Sequence, residues 1–403
     1  MSHNFEYKTV DYKTANAHNE HLNQDKPYPL EGILVLDMTH VLAGPTCGRM
    51  LADAGARVIH IERPPKGDDS RSMGPYLQDG SSEYFRFANA GKESITLDLK
   101  AEEDMALFKR MLKKADVVVE NFRPGVMKRL GLDPEELVKT YPGLIVASIS
   151  GFGQYGPMSQ QAAYDTIIQA ISGLMDSTGF PDGPATRVGT SISDVVGGIF
   201  GYCGVVTALM ARERTGKGST VDISMLDATF SLLAQDFMSD LGAHQRPHRL
   251  GNRHPYIYPF DTFKTKDSSI AICAGNDHLW QKLCQALGHP EWGNQAEFSS
   301  DVLREKNWQA VKQAIESVTT TDTSDVWCDR IEKAGVPVGP ILNIDDTRQL
   351  PQIVARGMVK TMDDGFNTLG SPMKFSAWNS YGAKHDSSKL NAEGDAIRQE
   401  FSD

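Results

Sequence analysis

The chain has 403 residues, of which 40% are hydrophobic and 23% charged. That is too long for one ordinary core and enough for two domains, and the composition excludes disorder, collagen and coiled coil. Acidic residues outnumber basic ones by 52 to 41, for a net charge of -11. This argues against a general nucleic-acid binder, although a local basic cluster could still hold a small anion.

The N-terminal residues 1–30 are polar and without periodicity, and read as a tail lying on the surface or on a partner. They contain no apolar core of a secretory signal, and no later stretch approaches eighteen consecutive apolar residues, so neither a leader nor a membrane span is expected. From Glu31 the pattern alternates between short apolar runs and helical segments. Strands are expected at Ile33–Leu36 ending in Asp37, at Val58–Ile61, at Ser94–Leu99, at Val117–Val119 and at Leu144–Ile149. Helices are expected between them, the first over Gly44–Ala54 with Pro45 at its start and Gly55 at its end. Continuous apolar strands separated by helices predict a parallel sheet covered on both faces. Asp194 to Arg214 reads as one long helix containing Gly197, Gly198, Gly201 and Gly204, whose number suggests a close backbone or ligand approach. A short strand at Val221–Ile223 and a helix over Met225–Leu241 follow. Beyond the polar connection His244–Pro255, the segment from Phe260 mixes the strand Ile270–Cys273 with helices and reads as a smaller domain. The organisation expected is a tail (1–30), a large domain (31–225), a small domain with linkers (226–325) and a C-terminal return to the large domain (326–403).

Several local motifs have modest readings. The five cysteines, Cys47, Cys203, Cys273, Cys284 and Cys328, form no C-x-x-C pair and read as buried thiols in a reducing cytoplasm. No histidine pattern has zinc spacing, so no metal site is expected. Gly151–Gly156 fits G-x-G-x-x-G, but it follows the last strand of the series and is succeeded by Pro157, which disfavours NAD binding. Gly216-Lys217-Gly218-Ser219 lacks the first glycine and the magnesium-binding hydroxyl of a P-loop and reads as a basic turn. Basic residues cluster after successive strands: Arg63, Lys66 and Arg71, then Lys100, then Arg123, Lys128 and Arg129. Loops at the carboxyl ends of parallel strands line ligand crevices, so these could form an anion site for phosphates. Asp194, just before the glycine-rich stretch, reads either as a helix-terminal acid or as a nucleophilic carboxylate that the helix dipole keeps ionised, with the glycines leaving room for an acyl group. Tyr164-Asp165 is open to the same two readings.

Taken together, these residues resemble the class III (formyl-CoA transferase-like) coenzyme A transferases, a family that also includes acyl-CoA racemases. The motifs are Leu36-Asp37-Met38-Thr39-His40-Val41-Leu42-Ala43-Gly44-Pro45, Ile59-His60-Ile61-Glu62-Arg63-Pro64, Glu120-Asn121-Phe122-Arg123-Pro124-Gly125, Gly151-Phe152-Gly153 with Gly156-Pro157, Ala163-Tyr164-Asp165 and Thr215-Gly216-Lys217-Gly218. Arg187-Val188-Gly189-Thr190-Ser191 and Gly251-Asn252-Arg253-His254-Pro255-Tyr256 resemble the acetyl-CoA:oxalate branch most.

The resemblance implies an α/β fold with a Rossmann-like parallel-sheet large domain, a smaller α+β domain and an interlocked, ring-like homodimer. It implies transfer of CoA from an acyl-CoA donor, acetyl-CoA, to a small carboxylic acid, oxalate, through an aspartyl-CoA thioester at Asp194. The alternatives are another donor and acceptor (formyl-CoA, succinyl-CoA) or an acyl-CoA racemase. Racemase relatives carry His before the aspartate where this chain has Tyr164, and a phenol is a poor base at neutral pH. CoA contacts carry over to Leu42, Ala43, Arg63, Leu97, Asp98, Leu99, Lys100, Asn121, Phe122, Arg123, Arg129, Gln161, Ala162, Ala163 and Tyr164. Some relatives have Lys in place of Ala162. His40, Arg253 and His254 are candidates to bind the acceptor carboxylates. The glycine-run lid of some relatives has no counterpart here. CoA thioesters are then substrates, no cofactor is bound permanently, no metal, nucleic acid or membrane takes part, and the enzyme is cytoplasmic.

Overall fold

The computed structural model describes residues 10–12, 25–379 and 382–402. Most of the N-terminal tail therefore lies outside the described residues. Two compact units divide the chain. The larger takes Asp11–Met175, Arg187–Arg246 and Pro351–Asp403, and the smaller takes Asp176–Thr186 and Pro247–Leu350.

In the larger unit, strands β1 (Leu34–Asp37), β2 (Arg57–Glu62), β3 (Lys92–Thr96), β4 (Val117–Glu120), β5 (Ile145–Ser150) and β6 (Thr220–Ser224) form one sheet in the order 3-2-1-4-5-6. Every neighbouring pair is parallel. This is the doubly wound order of a dinucleotide-type fold, whose direction reverses between β1 and β4. The central strands are buried on both faces, so they read as unbroken Val, Ile and Leu runs. One core, with Leu36, Ile59, Ile95, Val118, Val146, Phe108 and Met111, lies on one face. The other, with Val35, Val58, Val117, Ala147, Leu51 and Val205, lies on the opposite face.

The covering helices are α1 (Ala43–Asp53), α2 (Glu83–Asn89), α3 (Glu102–Leu112), α4 (Val126–Arg129), α5 (Pro134–Thr140), α6 (Asp165–Ile171), α7 (Ile192–Thr215) and α8 (Met225–Ser231). Helix α7, with a window mean hydropathy of 1.6, is long and apolar enough to cross a bilayer by length and composition. Its face of Val196, Gly197, Gly198, Gly201, Val205 and Leu209 is nevertheless buried in this unit.

The sequence expectation needs three corrections here. The third strand is Lys92–Thr96 rather than Ser94–Leu99, so Leu97–Lys100 is loop. The strand begins at Lys92, which is 1% exposed and ion-paired with Asp37 at 2.7 Å. The expected helix Met225–Leu241 is broken into Met225–Ser231, Ala234–Phe237 and a π turn at Met238–Gly242. The glycines of α7 mark the close backbone approach that was one of their two readings, and leave no open space for a ligand, because their faces are filled by neighbours. A Cβ on Gly198 would lie 2.6 Å from the Ala43 carbonyl oxygen, one on Gly201 2.6 Å from Ile149, and one on Gly204 2.6 Å from Val221.

The smaller unit holds an antiparallel sheet of β7 (Phe260–Lys264), β8 (Ser269–Cys273) and β9 (Val338–Pro340). Its core joins Phe263, Ile270, Trp280, Leu283, Val311 and Ile315 with Trp327 and Ile331. Helix Ser324–Lys333 thus belongs to this core, although the sequence reading put residues from 326 onward with the large domain. Arg304, fully buried, bridges the Tyr258 and Phe298 carbonyls and Asp277. The segment from Pro351 belongs to the larger unit, where Glu393 and Asn391 accept hydrogen bonds from the Ser94 and Thr96 N–H groups and cover the β3 edge.

Candidate functional site

In open parallel sheets, ligands bind outside the carboxyl ends of the strands where the winding reverses. The larger unit has two adjoining clefts there. One, of about 350 Å³, is lined from β1 by Met38, Thr39 and His40, from β2 by Arg63, Gly67 and Asp68, after β3 by Leu97, Asp98, Leu99 and Lys100, and after β4 by Phe122, Val126 and Leu130. The other, of about 340 Å³, is lined by His40, Asn121, Phe122, Arg123, Pro124, Ser150, Gly151, Gln161, Ala162, Ala163 and Tyr164. His40 and Phe122 line both, with ring centroids 5.7 Å apart. Asn121 spans the switch point: its side chain accepts from the His40 N–H at 3.0 Å and donates to the His40 carbonyl at 2.9 Å.

The sequence-derived contact residues therefore converge, with three exceptions. Leu42 and Ala43 are buried at the start of α1, and Arg129 is exposed on α4, outside both clefts. Arg63, Lys100 and Arg123 are exposed and make no ion pair among the described residues, leaving three cations at successive strand ends for an anion. Arg71 is not available for that role, because Glu62 holds it at 2.7 Å and it stacks on Phe85. The upper wall of the first cleft is apolar, through Leu97, Leu99, Phe122, Val126 and Leu130, as a planar ring system requires.

Asp194 lies in the first turn of α7. Gly198 faces Ala43 and Thr46, and Gly201 faces Cys47. The two helices thus pack closely along these faces, and Asp194 lies one turn before Gly198 on α7. The approach is held by Asp165 at the start of α6, whose carboxylate accepts from the Ser193 N–H at 2.9 Å and from Gln169 Nε2 at 2.8 Å. Gln169 in turn accepts from the Val188 N–H. Asp165 is thus a buried brace, while Tyr164 is 74% exposed. The Asp194 carboxylate itself accepts no hydrogen bond among the described residues. Burial, and then the charge of Asp165, push it up to about 7. Desolvation and a like charge thus oppose the helix terminus that was expected to keep it ionised. Such a carboxyl, half-buried and poorly solvated, suits covalent attack once ionised.

His40 is pushed down by burial. Arg253 and His254 lie in the smaller unit, each engaged locally. Arg253 pairs with Glu305 at 3.2 Å and lies over Trp308, while His254 Nδ1 accepts from the Tyr256 and Ile257 N–H groups. Sequence reasoning missed Tyr84 on α2. Its phenol is pushed up to about 12 by burial and by the charges of Asp194, Asp68 and Asp165. The signal was present in Ser82, whose side chain caps this helix by accepting from the Phe85 N–H.

A family model described as CoA-transferase family III matches residues 30–390. The chain is 50% identical over 374 residues to the acetyl-CoA:oxalate CoA-transferase of Acetobacter aceti, covering 93% of this chain and 96% of that one. It is 39% identical to the succinate–glutarate CoA-transferase of Agrobacterium fabrum, covering 82% and 84%. Among solved structures, a CAIB/BAIF family protein from Brucella suis superimposes with a TM-score of 0.84 at 38% identity, covering 93% of this chain and all of the other. The cations at the strand ends and the aspartate at the start of α7 thus sit in a chain matched along nearly its whole length, which belongs to CoA-transferase family III.

Proposed function

We propose that this protein transfers CoA from acetyl-CoA to oxalate through an aspartyl-CoA thioester on Asp194. The observation that carries the reading is the half-buried Asp194 carboxyl, without a hydrogen-bond partner among the described residues, in the helix turn that Asp165 braces through the Ser193 N–H. The unpaired Arg63, Lys100 and Arg123 suit the phosphates of CoA, and the apolar wall of Leu97, Leu99 and Phe122 suits its adenine. The Acetobacter relative's name supports the acetyl-CoA and oxalate pair, while the Agrobacterium relative's name supports dicarboxylates as a second reading.

In the proposed sequence, the ionised Asp194 attacks the acetyl carbonyl and expels CoA thiolate, giving an aspartyl acetyl anhydride. The thiolate attacks the aspartyl carbonyl and releases acetate, leaving the aspartyl-CoA thioester. Oxalate attacks that carbonyl, thiolate leaves again, and an aspartyl oxalyl anhydride forms. Thiolate then attacks the oxalyl carbonyl, giving oxalyl-CoA and free Asp194. Each covalent step keeps the activated acyl group from water. His40, at the junction of the clefts, is placed to meet the acceptor. The exposed Ile199, Phe200 and Met210 of α7, with Phe230, Phe237 and Met238 nearby in sequence, support a homodimer that covers this apolar face.

Incubation with acetyl-CoA and oxalate should yield oxalyl-CoA, and hydroxylamine should trap Asp194 when acetyl-CoA alone is present. Turnover without a trapped adduct would instead favour direct transfer in a ternary complex. Faster turnover with succinate or glutarate as acceptor would favour the second reading.

A further inference from the structure

A buried charged chain that the reaction does not use forms part of the first cleft's lining, through His60, Glu62 and Asp68. The His60 ring is 1% exposed and makes no hydrogen bond, although both its nitrogens are buried. Its Nδ1 lies 3.7 Å from Asp37 and its Nε2 lies 3.7 Å from Asp68, distances of ionic contact. Asp37 is paired on its other side with Lys92 at 2.7 Å. Asp68 reaches upward: its two carboxylate oxygens accept from the Val41 N–H at 3.1 and 3.2 Å, and one also accepts from the Ser70 N–H at 2.8 Å. From below, Glu62 accepts from the Asp68 N–H at 3.0 Å and is itself held by Arg71.

The group at the top of this chain is strained. Val41 has φ +67°, a left-handed conformation that a β-branched residue adopts only when its surroundings impose it. Val41 sits between His40, which lines both clefts, and Leu42, which leads into α1. The loop that walls the cleft is therefore held in an unfavourable shape by one carboxylate, which is in turn faced by one buried imidazole.

We propose that His60 and Asp68 are positioning residues for the cleft: His60, held between Asp37 and Asp68, fixes the carboxylate that keeps Val41 left-handed, and so sets the shape of the loop that receives the acyl-CoA. The CoA part of this inference rests on the transferase reading above. The charged groups facing His60 are Asp37 from β1 and Asp68 from the loop after β2, with Glu62 on its own strand, Lys92 on β3 acting through Asp37, and His40 above. Burial disfavours the imidazolium, but the two carboxylates outweigh it and push His60 up to about 9, so the ring is a cation at neutral pH. Asp68 is held down at about 2 against the effect of its own burial, chiefly by His60.

The test combines His60→Gln and Asp68→Ala with Val41→Gly, because glycine adopts the left-handed conformation without strain. Calorimetric titration with CoA should show dissociation constants raised about tenfold in His60→Gln and in Asp68→Ala. In turnover, the KM for acetyl-CoA should rise, and the KM for oxalate with it through His40, while kcat stays within about twofold. In the Val41→Gly background the Asp68→Ala penalty should shrink to about threefold or less. An equal penalty in both backgrounds, or a loss of kcat with an unchanged KM, overturns the proposal and makes the pair merely structural. Hydrogen exchange across residues 39–43 provides a readout without ligand, and should accelerate in both single variants. Unchanged exchange also overturns the proposal. If Asp68→Ala fails to fold, the His60→Gln arm carries the same comparisons. Wild type that does not bind CoA would remove the transferase reading instead, and the exchange measurement would still decide the tether.

Discussion

Replacing Asp194 with asparagine should make the protein more stable above neutral pH while abolishing transfer. Burial, and then the charge of Asp165, push this carboxyl from its ordinary 3.8 up to about 7. The unfolded chain therefore ionises Asp194 before the folded one does. Stability is unaffected by the group below about pH 3.8, is lost progressively as pH rises to about 7, and stays lowered by a constant amount beyond that. At roughly 1.4 kcal/mol per tenfold change in proton affinity, the ceiling on this cost is about 4 kcal/mol. Asp194 is only partly buried, so solvent screening brings the expected cost to about 2 kcal/mol. Asparagine has nearly the same shape and never carries the charge, so it escapes the cost but cannot form an anhydride. Urea unfolding of both proteins at about pH 4.5 and about pH 8 measures the difference. The variant should be only slightly more stable at the lower pH and about 2 kcal/mol more stable at the higher. A difference independent of pH, or a variant less stable at the higher pH, would refute the reasoning and mean that the α7 terminus stabilises the carboxylate after all.

The same carboxyl should give kcat/KM an acidic limb near pH 7, and Asp165→Asn should move that limb to lower pH, because it removes a neighbouring negative charge; a limb that stays put would assign the titration elsewhere. Arg63→Ala should raise the KM for acetyl-CoA about tenfold or more and leave that for oxalate nearly unchanged, through loss of a charge-assisted phosphate contact; equal effects on both substrates would make Arg63 structural. Gly198→Ala, whose new methyl would lie 2.6 Å from the Ala43 carbonyl oxygen, should cost about 1–3 kcal/mol in unfolding experiments by prising α7 from α1, whereas an unaltered midpoint would show that the helices part freely. If the proposed dimer is interlocked, two differently tagged, separately purified preparations should not exchange subunits in native buffer until they unfold; rapid exchange would rule out interlocking.

The sequence alone determined the alternation of strands and helices in the larger unit. Strands buried on both faces must be continuous Val, Ile and Leu runs, and Gly or Pro must mark their ends. It determined the cations at successive strand ends and the place of Asp194 at the start of a long helix, because those follow from order along the chain. Tertiary structure decided what depends on neighbours distant in sequence. Lys92 enters a strand because Asp37, 2.7 Å away on β1, neutralises it. The glycines of α7 are filled by Ala43, Thr46, Ile149 and Val221, so they serve helix packing where the sequence suggested room for a ligand. Trp327 and Ile331 join the smaller core because a strand pair 54 to 71 residues earlier offers the matching apolar face. The proton affinity of Asp194 was not legible either. A helix N-terminus is visible in sequence and favours the anion, but the burial and the Asp165 charge that oppose it exist only once α6 and α7 are packed together.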